Sequence, residues 1–455
     1  MQKIRPLWKI VFAVVLFLLV LTTIFSFRQK SAKAEPAHTK IVFWHEMGGT
    51  SGDALEKMVN KFNKSQSKYE VVPQYEGSYD EAIQKFIQSH GSASSPALFQ
   101  AFDISTAQMM HSKYTTPVQK FIDEENYDVK DIAPVARSFY ANNGQQLAMP
   151  FNTSQPVLYY NASLLKKYHI APPSQSPSYS EITRTAQQLY ERSNHQVKGM
   201  TMEIYGWLLE EALANTKTSL VNNNDGHSGT PTNVNLNNPM TVKYVKWIRQ
   251  NIKAGDFVNY GSGTSAENNQ TAAFLARKLG MFVQSSATIG QLAQGTKDKL
   301  GITYFPHPDG TKANGVSIGG AALWISNDKS EKVQKGAFEF IKFAETSKIQ
   351  AQWQKDTGYL ALNANSQKEK VLTDLYKKEP EMAVPGEQLR NAKPNSTNSG
   401  VLMEGMQLTR EMEETALESI YGGSNITQTL QDASSKINQN LERTNRANNY
   451  FKKTK

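Results

Sequence analysis

Short apolar runs with strand character alternate with amphipathic segments along the first hundred residues. Lys40-Ile41-Val42-Phe43-Trp44 reads as a buried strand that gives way to His45-Glu46-Met47-Gly48-Gly49. Leu55, Met58, Val59 and Phe62 recur at helical spacing, which predicts a helix with Ser51 as its N-cap. Tyr69 to Tyr75 is a second strand. Ser78 then caps a helix that carries Asp80 and Glu81 in its first turn and turns Ile83, Phe86 and Ile87 inward. Ala97 to Phe102 is a third strand and Ile104 to His111 a short helix. Strand–helix repetition at this rhythm predicts an α/β lobe with a mainly parallel sheet.

The pattern then breaks at Met149-Pro150-Phe151-Asn152-Thr153-Ser154-Gln155-Pro156, ahead of the β-prone Val157 to Tyr160. Each proline fixes φ and withholds a donor, so the residues between them form a connector, not a mid-sheet strand. Such a segment suits a crossing between lobes, or an ordinary polar loop. Beyond it, Ser178-Tyr179-Ser180-Glu181 reads as a capping box, and residues 215–238, rich in Asn, Gly, Ser and Thr, as a surface excursion. Val242 to Ile252 predicts a helix. Thr271 to Leu279 predicts another, running into a strand over Met281 to Gln284. Further strands fall at Gly301 to Phe305 and within Val316 to Ile325, and helices at Lys332 to Ala344 and Lys348 to Gln354. From Asn365 on the chain is helical and polar, interrupted near Pro385 and Pro394.

A chain of 455 residues exceeds one ordinary core, so two lobes are expected. The formal charge is +9, but residues 1–34 supply +6 with no acid, which leaves +3 for the remainder. A near-neutral body gives no electrostatic basis for nucleic-acid binding. With no cysteine, disulfides, thiol catalysis, thiolate metal sites and a lipid-modified N-terminal Cys are all excluded. Lys3, Arg5 and Lys9 precede an apolar run from Ile10 to Phe27, and Ala32-Lys33-Ala34 offers a small-x-small cleavage site. This is the export pattern. At about 18 residues the run also reaches the lower limit of a membrane span, so residues 1–34 read as a signal peptide or an uncleaved anchor. Either way the body lies outside the cytoplasmic membrane.

No enzyme motif is assembled. His45-Glu46 begins a zincin-like pattern, but position 49 is Gly where the second histidine is needed, and the eight histidines show no ligand spacing. No catalytic residue, metal or cofactor is expected. The candidates that remain suit a small polar ligand. Gly319-Gly320 permits close backbone approach, or marks a bulge or tight bend. Ser285-Ser286 follows a strand end, where α/β lobes hold ligands, or is ordinary loop polarity. Arg410, beside Glu411, Glu413 and Glu414, also fits a solvated ion-pair face. Trp207 and Tyr359 suit either core or stacking.

Phe43-Trp44-His45, Tyr75-Glu76-Gly77-Ser78-Tyr79, Ala107-Gln108-Met109-Met110, Pro150 to Ser154 through Tyr160-Asn161, Ile318-Gly319-Gly320-Ala321 through Trp324, and Thr357-Gly358-Tyr359-Leu360 occur in this order. Together they resemble the family 1 extracellular solute-binding proteins, in particular those that serve glycerol-3-phosphate ABC importers, over about residues 40 to 440. The resemblance implies a type II two-lobed α/β fold closing on ligand about hinge crossings. It divides the chain into lobe 1 (35–151 and 318–360) and lobe 2 (152–317 and 361–455). It implies a monomer that delivers a small phosphate ester to ABC permease subunits with a cytoplasmic ATPase. Carried over by motif, Tyr79, Ser154, Ser285, Gly320, Tyr359 and Arg410 fall at ligand-binding positions. Phosphate needs hydroxyl, phenol, backbone N–H and guanidinium donors of this kind. Two departures concern the glycerol end: Asp103 stands where the family typically has Glu, and Ile204 with Trp207 where it often has two tryptophans. The loss of one indole predicts a roomier pocket that admits glycerophosphodiesters such as glycerophosphocholine, with Trp207 facing a quaternary ammonium. An oligosaccharide-binding protein is the alternative within the class, and an extracellular phosphodiester hydrolase the alternative outside it.

Overall fold

The computed structural model describes residues 38–453. The export segment therefore lies outside the described residues. Within them, no helix is long and apolar enough to cross a membrane.

Two sheets organise the chain. The first combines β1 (Thr39–His45), β2 (Tyr69–Tyr75), β3 (Leu98–Phe102), β4 (Thr115–Thr116), β7 (Met149–Pro150) and β13 (Ala321–Ser326) in the order β2-β1-β3-β13-β4, with β7 also on β13. A ribbon of β5 (Ala141–Asn142) and β6 (Gln145–Gln146) stands apart. The second sheet contains β8 (Pro156–Asn161), β9 (Lys198–Thr201), β10 (Phe257–Val258), β11 (Leu279–Ser285) and β12 (Leu300–Thr303), ordered β10-β9-β11-β8-β12. Each sheet buries its own core: Phe43, Phe99, Trp324 and Phe340 in the first lobe, and Met200, Trp247, Met281 and Leu417 in the second. This is the two-lobed type II arrangement.

The sheets are less parallel than the strand–helix rhythm predicts. β1 pairs parallel with β2 and β3, but β13 returns from the second lobe and runs antiparallel to β3, β4 and β7. β8 is likewise antiparallel to β11 and β12. The strands that enter a lobe from the crossings necessarily arrive in the opposite sense.

Local signals are mostly realised, with informative exceptions. Ser78 and Glu81 form a reciprocal capping box on the helix Tyr79–Ser89. Ser178 caps the helix Tyr179–Arg192, but the Glu181 carboxylate accepts from Ser174 N and Oγ instead of closing a box. The helix Gly49–Ser65 starts two residues before Ser51, because the Gly48-Gly49 bend lets it begin directly after β1. The helix before β11 spans Gly263–Leu275, eight residues earlier than its apolar period shows, since its first turns are polar. The segment 215–238 is not a mere surface excursion: Val221, Val234 and Leu236 are buried against the second lobe.

Two backbone segments cross between the lobes side by side. Ser154 and Gly319 form an antiparallel bridge, and Phe151 N–H donates to the Ala321 carbonyl at 2.9 Å. Thr153 accepts from Leu360 N, and Gln155 from Ser286 N, both at 2.8 Å. The connector between the prolines is thus consumed by backbone pairing with neighbours from both lobes.

Candidate functional site

A cleft of about 580 Å³ opens where the crossings meet the two sheets. The first lobe contributes Tyr79, Phe102, Asp103 and Tyr359, and the crossings Ser154, Gly319 and Gly320. The second lobe contributes Glu203, Tyr205, Trp207, Gly263, Thr264, Glu267, Gln284, Ser285 and Glu414. Every candidate residue but Arg410 therefore borders one space. A larger groove of about 980 Å³ lies between the helices Tyr179–Arg192 and Pro239–Ala254, but no candidate residue lines it.

Tyr79 opens its helix directly after the Ser78 cap, and its ring stacks on Phe102 at 5.2 Å with an interplanar angle of 10°. Its phenol oxygen accepts from Asn152 Nδ2 at 2.9 Å, and Asn152 Oδ1 accepts in turn from Gln100 Nε2 at 2.7 Å. The phenolic proton is left for another acceptor. Burial first, and then the neighbouring Tyr359, push the phenol well above its ordinary value, so it stays a neutral donor. Tyr359 follows Gly358 at φ +82, stacks against Trp353 and is likewise pushed up by burial.

Ser285 ends β11, with Oγ accepting from Ala287 N at 3.2 Å and its own N–H bound by Gln284 Oε1 at 2.7 Å. Ser286 behaves differently. It is fully buried, and its Oγ accepts from Gln155 N, so it serves the crossing. Gly320 resolves the choice between bend and close approach in favour of both. Its φ is +105, and a Cβ there would fall 1.9 Å from the Asn152 carbonyl oxygen. Its own carbonyl accepts from Asp103 N at 2.8 Å.

Trp207 packs its indole edge over Gly319, where a Cβ would come within 2.8 Å of Cζ2, and among the described residues its Nε1 has no hydrogen-bond partner. Ile204 does not face the cleft. It is 1% exposed in the second-lobe core, while its neighbour Tyr205 borders the cleft. The volume ascribed to the Ile204 position is thus not a volume of this cleft, because the chain turns that side chain inward.

Arg410 departs furthest from expectation. It sits on no solvated face: it is 8% exposed on the helix Met406–Tyr421, one side chain behind the cleft wall. Its Nε and Nη2 donate to Glu210 Oε1 and Oε2 at 2.7 and 2.8 Å, and Asp103 Oδ2 lies 3.7 Å from Nη2. Burial alone would depress the guanidinium. The Glu210 and Asp103 charges together outweigh it and hold the group well above its ordinary value. Asp103 is raised by burial, against the pull of Arg410, to about 6.

The cleft wall is acidic. Asp103, Glu203, Glu267 and Glu414 line it, with no Lys or Arg among the lining residues. Glu203 is pushed to about 7 by burial and then by the Glu267 charge, although Gln270 and Gln284 donate to its Oε2 at 2.7 and 3.0 Å. The sequence does not single out Glu203, Tyr205, Glu210 or Glu267, and it shows Glu414 only as part of a charged helical face. Glu203 stands just past the carboxyl end of β9, a strand that the apolar pattern of the sequence does not mark.

The model of the bacterial extracellular solute-binding protein family matches residues 57–384. The chain belongs to that family. This solute-binding protein is 30% identical, over 403 residues, to the sn-glycerol-3-phosphate-binding periplasmic protein UgpB of Yersinia enterocolitica, covering 87% of this chain and 90% of the relative. To the protein of the same name from Salmonella typhimurium it is 28% identical over 420 residues, covering 90% and 94%. Among solved structures, UgpB from Mycobacterium tuberculosis in complex with glycerophosphocholine superposes with a TM-score of 0.73 at 20% identity, covering 89% of this chain and 99% of that one. The sugar-binding protein MalE from Xanthomonas citri gives 0.75 at 15% identity, covering 90% and 98%. At such identities the solved structures establish the two-lobed fold alone.

Proposed function

We propose that this solute-binding protein captures glycerol 3-phosphate or a glycerophosphodiester such as glycerophosphocholine in the cleft between its lobes. It passes the solute, chemically unchanged, to the permease of an ABC importer. Residues 1–34 direct export, and the protein acts as a monomer at the outer face of the cytoplasmic membrane.

The observation that carries this reading is the convergence of neutral donors on one cleft with a single guanidinium behind it. Tyr79, Tyr359, Ser154 and Ser285 border the space with the Gly320 backbone, and Arg410 stands behind Asp103 and Tyr205. Phosphate oxygens take several neutral N–H and O–H donors and one forked cation well. The identity to sn-glycerol-3-phosphate-binding relatives over most of the chain supports the same solute class. The acidic wall around Tyr205 and Trp207 favours a ligand whose far end is neutral or cationic over a second anion.

Isothermal titration of residues 35–455 with glycerol 3-phosphate, glycerophosphocholine and maltose tests this, beside an Arg410→Ala variant. Micromolar-range binding of a glycerophosphate, lost in the variant, is the expected result. Binding of maltose alone, unchanged in the variant, would transfer the protein to the oligosaccharide class.

A further inference from the structure

The Arg410 guanidinium is already engaged. Its Nε–H and Nη2–H make two parallel bonds to the Glu210 carboxylate at 2.7 and 2.8 Å, the geometry in which a phosphate would itself take the fork. Glu210 also lies on the side away from the cleft. It borders a small internal space with Ser317 and Ile318, while Asp103 and Tyr205 separate Arg410 from the cleft.

We propose that Glu210 is a specificity-determining residue that holds Arg410 back from the cleft, so that a ligand's phosphate binds only by winning the guanidinium from it. The inference rests on the glycerophosphate reading above. Three features make the exchange a side-chain event. Gly206 leaves room for the Arg410 stem, since a Cβ there would fall 2.9 Å from Arg410 Cβ and Cγ, so the stem is packed and only the head can swing. Glu211, the next residue, accepts from Ser317 N at 2.6 Å and ties the helix Gly206–Asn215 to the second crossing, which fixes the Glu210 backbone. The Glu210 side chain is 14% exposed, so it has a route to water once released.

The consequence is discrimination by charge. A neutral sugar offers the guanidinium only uncharged hydroxyl acceptors and leaves the pair intact, whereas a phosphate monoester or diester replaces one carboxylate with an oxyanion of equal or greater charge. The arrangement also sets affinity as a difference between two anions, which lowers it below what an unengaged arginine would give.

The test is a double-mutant cycle read by titration calorimetry with glycerol 3-phosphate, glycerophosphocholine and maltose. Glu210→Gln keeps the shape and removes the charge, and is expected to bind both phosphate compounds roughly tenfold more tightly. The gain should shrink when Glu210→Gln is made in an Arg410→Lys background, which keeps a cation and measurable binding but loses the fork. Glu210→Asp, which shortens the reach but keeps the charge, should tighten binding in the same direction by less. It carries the test if the Gln variant does not fold. Wild-type binding of a glycerophosphate with unchanged or weaker binding in both Glu210 variants would overturn the inference and make Glu210 an orienting residue. Failure of the wild type to bind any glycerophosphate would overturn the reading beneath it.

Discussion

Ser154 and Gly319 exchange both backbone hydrogen bonds, each at 2.9 Å, where the two crossings run antiparallel. The backbone of the connector is thereby committed to the hinge. Among the described residues the Ser154 hydroxyl keeps no protein partner and borders the cleft. One residue thus belongs to both the crossing and the ligand space.

Gly320→Ala should damage both. A Cβ at φ +105 meets the Asn152 carbonyl at 1.9 Å, and Asn152 in turn holds the Tyr79 phenol. A loss of about 3 kcal/mol or more in denaturant unfolding is expected, because left-handed strain and overpacking act together.

Ser154→Ala should leave the melting temperature within about 2 °C of wild type, since its hydroxyl has no protein partner among the described residues, whereas Ser285→Ala also removes the acceptor of Ala287 N and should lower it somewhat further. Each should weaken glycerophosphate binding by roughly tenfold in calorimetry, the worth of one hydrogen bond to a charged acceptor.

Glu211 is 1% exposed and pushed well above the ordinary carboxylate range, mainly by burial, while accepting from Ser317 N. Burial therefore favours its neutral form. Glu211→Gln should keep stability within about 1 kcal/mol, because the amide retains the acceptor. Glu211→Ala should lose about 2–4 kcal/mol through the cavity and the orphaned Ser317 N–H. Thermal and urea unfolding of the pair separates charge from hydrogen bonding.

Stability should fall as the pH rises from about 6.5 to 9. Burial lifts Glu203 from 4.5 to about 7, Glu345 to about 8 and Glu46 to about 9. A carboxyl raised in the folded state holds its proton there more firmly than in the unfolded chain. Its contribution is complete below 4.5 and is lost as the pH climbs through the folded value. Melting temperatures across this range should decline, and Glu46→Gln should flatten the upper part of the decline. A flat wild-type profile would contradict the assignment.

The sequence by itself determined what repeats locally or depends on one or two neighbours. Strand and helix positions in the first lobe followed from apolar periodicity, the Ser78 cap from its spacing to Glu81, and the non-strand character of 151–155 from two prolines. The motifs from Phe43 to Leu360 brought the family within reach because their order survives where single residues do not.

Tertiary structure alone decided which partner each side chain meets. Arg410 read as one member of a charged helical face, yet its counter-ion is Glu210 on another helix, and Glu413 beside it is wholly buried. Ser285 and Ser286 are indistinguishable by composition, but the strand end turns one toward the cleft and the other into the crossing. Ile204, expected at the cleft, turns into the second-lobe core for the same reason, while its neighbour Tyr205 borders the cleft. Periodicity tells which face of an element is covered, not what covers it. Electrostatic partners and cleft walls are set by elements a hundred or more residues away, brought together only when the two lobes fold around their crossings.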